Sequence, residues 1–132
     1  MKILRKCILF YLGGMSYMIL EFLWRGRSHG SMFALGGTCF LLLGQLYKRC
    51  RRLCLAFKML IGATIITALE FLTGLLVNRS YAIWDYRRLP CQLCGQICLV
   101  FSLLWVPVSL GAMLLYEQAE RIVNRGQLRR PR

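Results

Sequence analysis

LAFKMLIGATIITALEFLTGLLV, residues 55–77, decides the fold. These 23 residues hold two charged side chains, Lys58 and Glu70, and are otherwise almost wholly apolar. Wound as a helix at about 1.5 Å per residue, the stretch is about 34 Å long. That is enough to cross a hydrocarbon core of about 30 Å. Three more blocks read the same way, residues 7–24, 31–47 and 94–116, of 18, 17 and 23 residues. The apolar residues come as runs, without the alternation of a membrane β-barrel strand. Helices and closed barrels are the structures that satisfy a backbone in lipid, so the runs are helices.

The expected fold is therefore all-α: an integral membrane four-helix up-down bundle with helices at about 7–24, 31–47, 55–77 and 94–116. The 132 residues suit a single domain. Residues 117–132 form a basic cytoplasmic tail, whose first part can continue helix four or lie along the membrane surface. The first block has a basic start like a signal peptide. It is long, however, and runs into Trp24-Arg25 with no A-x-A cleavage pattern, so it is read as a span.

Net charge is +13, from 18 Lys and Arg against five acidic residues. In a soluble protein that excess would suggest nucleic acid. Here its placement argues for topology. Lys2, Arg5 and Lys6, then Lys48, Arg49, Arg51, Arg52 and Lys58, then Arg121, Arg125, Arg129, Arg130 and Arg132 fall on one side of the four spans. The other side holds Arg25, Arg27, Arg79, Arg87 and Arg88. The richer side should be cytoplasmic, which puts both termini inside. The expected surroundings are the lipid bilayer, with attraction to anionic lipid and no nucleic-acid partner.

The tetrapeptide LEFL occurs twice, at residues 20–23 and 69–72. Each copy puts a glutamate in the outer half of a span, which hints at two duplicated hairpins. Glu21 has Arg25 at i+4, the favourable order for a helical ion pair. Glu70 lies seven residues before the end of its span, about 10 Å deep, with Gly74 at i+4. An ionisable group at that depth is a functional candidate. The plainer reading is a carboxyl that pins helices by hydrogen bonds. Its neutral partners would come from Thr64, Thr67, Thr73, Gln96 or Ser102.

The outer loop contains Trp84-Asp85-Tyr86-Arg87-Arg88. Trp84 and Tyr86 are rings of the kind that anchor at a membrane interface. Asp85 should pair with Arg25, Arg27, Arg79 or Arg88. With Glu21 and His29 it would form an outer polar vestibule, although a lone histidine beside a turn is an ordinary surface residue. Cys50 and Cys54 should be reduced thiols on the inner side, and Cys7, Cys39 and Cys98 small apolar packers within helices. Cys91 and Cys94 make a Cys-x-x-Cys at the outer mouth of helix four. A thiol oxidoreductase passing electrons to a quinone would need a second outer cysteine pair, which this sequence lacks. Glycine pairs at 13–14 and 36–37 allow close helix approach, and Pro107 should kink helix four. No G-x-x-x-x-G-K-[ST] occurs, so an ATP-driven role would need a separate subunit.

Four blocks carry a family resemblance: GGMSYMILEFLWRGRSHGSMFALGGTCF at 13–40, LEFLTG at 69–74, WDY at 84–86 and GQICLVFSLLW at 95–105. Together they resemble the bacterial membrane family labelled ABC-transporter type IV, over about residues 13–116. The resemblance implies an integral inner-membrane protein, a permease component. Glu21, Arg25, His29, Glu70, Thr73, Gly74, Trp84, Asp85, Tyr86, Gly95 and Trp105 match its motifs. Where the family has Asn-Leu-x-Gly, this chain has Gln92-Leu93-Cys94-Gly95, so the Cys-x-x-Cys is its own.

The expectation is a transporter component with an outward-facing substrate or ion pocket formed by Glu21, Arg25, His29, Glu70, Thr73, Trp84, Asp85 and Tyr86. No catalytic residue, cofactor or metal is assigned, and a non-enzymatic role is preferred. Partners would be further copies of the chain or an ATPase subunit. The alternatives are a non-transporting assembly or regulatory protein with structural glutamates, and a thiol oxidoreductase using Cys91 and Cys94.

Overall fold

The structure, a computed structural model, describes residues 2–26, 29–81 and 84–128. Arg27, Arg129, Arg130 and Arg132 lie outside the described residues, as does the side chain of Arg25. The regular elements of the described chain are helices apart from one small hairpin. Its elements are α1 (Lys2–Arg25), α2 (Gly30–Arg49), α3 (Leu55–Val77), β1 (Gln92–Leu93), β2 (Ile97–Cys98) and α4 (Leu99–Leu128). All four helices are long and apolar enough to cross a membrane.

Local chemistry sets where each helix stops. Past α1, Gly26 adopts the left-handed conformation (φ 73°) and its N–H reaches the Phe22 carbonyl at 2.8 Å, a glycine C-cap. His29 is the N-cap of α2: its Nδ1 accepts the Ser31 N–H at 3.2 Å. Asn78 closes α3, its N–H on the Gly74 carbonyl at 2.9 Å. α4 begins at Leu99, later than the apolar run suggests, because residues 92–98 turn back on themselves. Gln92 pairs with Cys98 and Leu93 with Ile97, antiparallel. The tip is closed by the Gln96 N–H on the Leu93 carbonyl at 3.1 Å, with Cys94 (φ 53°) and Gly95 (φ 67°) both left-handed. Two positive-φ residues give the twist that a tight hairpin needs. Cys98 thus lies in β2 and Gln96 in the hairpin, neither in helix four. At its far end α4 continues to Leu128, so the basic segment after residue 116 is mostly helix. The helix also runs through Pro107. There the Ser109 hydroxyl lies 2.7 Å from the Val106 carbonyl and 3.0 Å from the Met59 carbonyl on α3.

Glycines and aromatic rings interlock α1 with α2. A Cβ at Gly13 would collide with the Phe40 ring, one at Gly36 with Tyr17, and one at Gly37 with Phe10. Any side chain there would force these helices apart, and dispersion contacts at close range are what hold helices together in lipid. α2 is the most enclosed helix and packs against the other three, whereas α1 meets α4 only sparingly. A core of Met32, Leu35, Leu43, Ile66, Trp84, Tyr86 and Met113 joins α2, α3, α4 and the long loop between α3 and β1. A second cluster, Leu9, Phe40, Tyr116 and Ala119, ties α1 to α4. Large apolar residues such as Leu23, Leu76, Leu103 and Ile122 remain exposed, as surfaces facing lipid require.

Candidate functional site

On α3 the residues Lys58, Gly62, Ile66, Glu70 and Gly74 are all buried. They stand four apart and form one helical ridge. Both charges of this apolar helix therefore point inward, as an ionisable group in a membrane span should. Glu70 is 3% exposed. Tyr86 Oη donates to its Oε1 at 3.2 Å, and Trp105 Nε1 donates to its Oε2 at 3.0 Å. The two donors come from the long loop and from α4, so the carboxyl joins three parts of the chain. Each donor ring is stacked in turn. Tyr86 lies over Phe101 with ring centres 4.9 Å apart, and Trp105 over Tyr17 at 5.8 Å.

Because α1 and α4 meet at only a few places, a cleft opens between them. Its first part, about 260 Å³, is walled by Tyr17, Leu20, Glu21, Tyr86, Phe101, Leu104, Trp105, Pro107 and Val108. The second part, about 270 Å³, shares Tyr17, Leu20, Trp105 and Val108 and continues past Gly111, Ala112 and Leu115. The lining is predominantly apolar, and Glu21 is the charged residue on its wall. Glu70 lies behind the two aromatic residues that hydrogen-bond to it. The cleft can accept an apolar or amphipathic molecule, or another helix. Its polar features are gathered near Glu21 and Tyr86.

The loop that delivers Tyr86 is held by Asn78, a fully buried residue. Its Nδ2 donates to the Trp84 carbonyl at 2.6 Å and to Gln96 Oε1 at 3.0 Å, while Oδ1 accepts the Trp84 N–H at 3.3 Å. Gln96 Nε2 donates back to the Asn78 carbonyl at 3.1 Å, and Trp84 Nε1 donates to the Gln96 carbonyl at 2.8 Å. Gly74 makes room for this knot, since a Cβ there would strike the Gln96 side chain.

The expected pocket residues divide accordingly. Glu21, Glu70 and Tyr86 come together. Trp84 and Tyr86 are buried at 4% exposure each, so neither is a surface anchor. Trp84 serves the knot. Thr73 is half-buried on α3 and lines neither part of the cleft. His29 is exposed and caps a helix. Asp85 is also exposed, and its partner is Arg87 two residues on, where Arg25, Arg27, Arg79 or Arg88 was expected. Arg87 Nε and Nη2 reach the two carboxylate oxygens at 2.9 and 2.8 Å, the Arg87 N–H adds 2.9 Å to Oδ1, and the guanidinium stacks on Tyr81. The Arg87 side chain, then its backbone N–H, hold the Asp85 carboxyl at about 2. The folded value is depressed, so any contribution of this pair to stability is present above the ordinary carboxylate range and is lost as pH falls through about 2. An NMR titration of the Asp85 carboxyl should find that midpoint, and Arg87→Ala should return it toward the ordinary range.

Cys91 and Cys94 are exposed free thiols on the hairpin. Among the described residues no group of three His, Cys, Asp or Glu gathers as metal ligands. Thr67 Oγ1 is buried without a partner among the described residues, and the Thr64 hydroxyl bonds the Leu60 carbonyl. The hydroxyls of α3 thus turn elsewhere, and a loop tyrosine and a helix-four tryptophan reach Glu70. Sequence reasoning missed Asn78 and Tyr17 altogether and took Trp105 only as a motif position. An asparagine directly after an apolar run is a helix-stop signal, and a tryptophan in mid-span needs an acceptor for its N–H. Those two signals could have found Asn78 and Trp105.

A family model described as "Putative ABC-transporter type IV" matches residues 7–129. No curated protein and no solved structure matches the chain.

Proposed function

The chain belongs to the family described as ABC-transporter type IV, and on that premise we propose that it is the membrane-spanning component of a transport assembly. In this reading the α1/α4 cleft receives an apolar or amphipathic solute whose polar end meets Glu21 and the Tyr86–Glu70–Trp105 cluster. One observation carries it: the two residues that hydrogen-bond a buried carboxyl are also walls of an open cleft. A solute seated there would press on the donors of Glu70 without touching the carboxyl itself. The helices would run up and down, with both termini and the α2–α3 turn on the cytoplasmic side of a bacterial inner membrane. The excess of Lys and Arg at those places supports that orientation. Energy would come from a separate ATPase subunit.

Isolation of the tagged protein from its host in mild detergent tests the reading. A stoichiometric P-loop ATPase should copurify. A homo-oligomer holding no ATPase would overturn the subunit role. A second reading has its own observation. Both oxygens of Glu70 are already engaged by donors from two other parts of the chain, which suits an assembly or regulatory protein whose glutamate only joins its elements.

A further inference from the structure

The opposite end of α3 presents a different site. Where α2 stops and α3 starts, a cavity of about 500 Å³ is lined by Tyr47, Lys48, Arg51 and Lys58, with Glu117, Glu120, Arg121 and Asn124 across from them on α4. Four cations face two carboxylates. Both carboxylates are taken: Lys48 Nζ meets Glu120 at 2.7 Å, and Arg121 Nη2 meets Glu117 at 2.7 Å. Among the described residues, neither Arg51 nor Lys58 has a carboxylate partner. Arg5 adds a further cation beside the cavity, its guanidinium 3.3 Å from Asn124 Oδ1.

Lys58 is the informative residue. It is 6% exposed, and its ammonium sits 4.7 Å above the Tyr47 ring. The ring face offsets part of the charge. Among the described residues no oxygen accepts its hydrogen bonds. The residue is buried while its ammonium reaches the cavity, and a cation held at such a place is normally supplied with a counter-ion. The cavity leaves room for it, and Arg51 offers a planar fork suited to phosphate oxygens.

We propose that this cavity binds a phosphate group, with Lys58 and Arg51 as its chief ligands and Lys48 and Arg121 able to turn from their glutamates toward it. Lys58 lies one turn inside α3, and α2 ends at Arg49, so the site is at the depth where an apolar span meets lipid headgroups. An anionic phospholipid headgroup and a soluble phosphate share the required chemistry. The inference does not rest on the reading of the α1/α4 cleft.

The full-length protein in neutral detergent would be titrated separately with phosphatidylglycerol, phosphatidylcholine and inorganic phosphate, reading bound lipid by native mass spectrometry and the unfolding midpoint. The expected result is saturable binding of phosphatidylglycerol, or a midpoint raised by inorganic phosphate, each well above the effect of phosphatidylcholine. The first outcome assigns the site to a lipid and the second to a soluble phosphate. Lys58→Met and Arg51→Gln should each weaken that binding at least tenfold, while Arg79→Gln at the other end should not. Arg51 is exposed, so its variant reports even if Lys58→Met fails to fold. Equal response to all three additives, or wild-type affinity in Arg51→Gln, would overturn the proposal.

Discussion

Leucine at position 70 should lower the unfolding free energy by about 3–5 kcal/mol, whereas glutamine should keep the fold to within about 1 kcal/mol and still abolish function. The reasoning starts from the donors. Tyr86 Oη and Trp105 Nε1 both end on Glu70 oxygens inside the protein. Leucine removes this acceptor from both, and a buried polar group stripped of its partner costs about 1–3 kcal/mol. Loss of the tie between loop, α3 and α4 adds to that. Glutamine offers one oxygen and one NH2 group. Indole N–H is only a donor and must take the oxygen, but a tyrosine hydroxyl can rotate and accept from the NH2. Both groups keep a hydrogen bond to residue 70 in Glu70→Gln, Trp105 as donor and Tyr86 now as acceptor, while the ionisable carboxyl is gone. Thermal unfolding in detergent reads the first effect, and growth of the host with the variant at the native locus reads the second. A glutamine variant that folds and fully replaces the wild type would make Glu70 a structural tie and favour the assembly-protein reading.

The number of helices was legible because lipid imposes a length, and the four apolar runs declare it. Their ends were not, because apolar content marks the hydrocarbon and not the helix. Lys2, Arg5 and Lys6 are poor membrane residues but good helix formers, so α1 begins at Lys2. Residues 94–98 are apolar enough for a span, yet positive φ at Cys94 and Gly95 turns them into a hairpin and delays α4 to Leu99. Glu70 stood out by its depth alone. Its partners did not, because Tyr86 and Trp105 reach it from 16 and 35 residues away. Trp84 and Tyr86 were read as surface rings because their composition suits an interface. Their burial depends on Asn78 and Gln96, which meet across 18 residues. Asp85 was assigned Arg25, Arg27, Arg79 or Arg88, whereas its carboxylate pairs with Arg87 two residues on.

That dependence gives the second large effect. Asn78→Leu should cost about 2–4 kcal/mol and release the loop around Trp84. The substitution keeps the branching of the side chain and removes the acceptor of the Trp84 N–H and the donor to the Trp84 carbonyl and Gln96 Oε1. Each buried group so stripped is worth about 1–3 kcal/mol, and the freed loop regains access to water for some of them. Faster hydrogen exchange at the Trp84 and Gln96 amides, with a lower unfolding midpoint, is the expected record. The same loop presents Tyr86 to Glu70, so the two sites should not be independent. In Asn78→Leu the Tyr86 hydroxyl is no longer held over the carboxyl, and little of its bond is left for Glu70→Leu to remove. The double variant should therefore be less destabilised than the sum of the singles, by about 1 kcal/mol or more, as residues sharing one network are. Additivity to within about 0.5 kcal/mol would show that Tyr86 stays in place without the Asn78 knot. The packing of its ring on Phe101 would then be what positions the donor, and the knot would serve Trp84 alone.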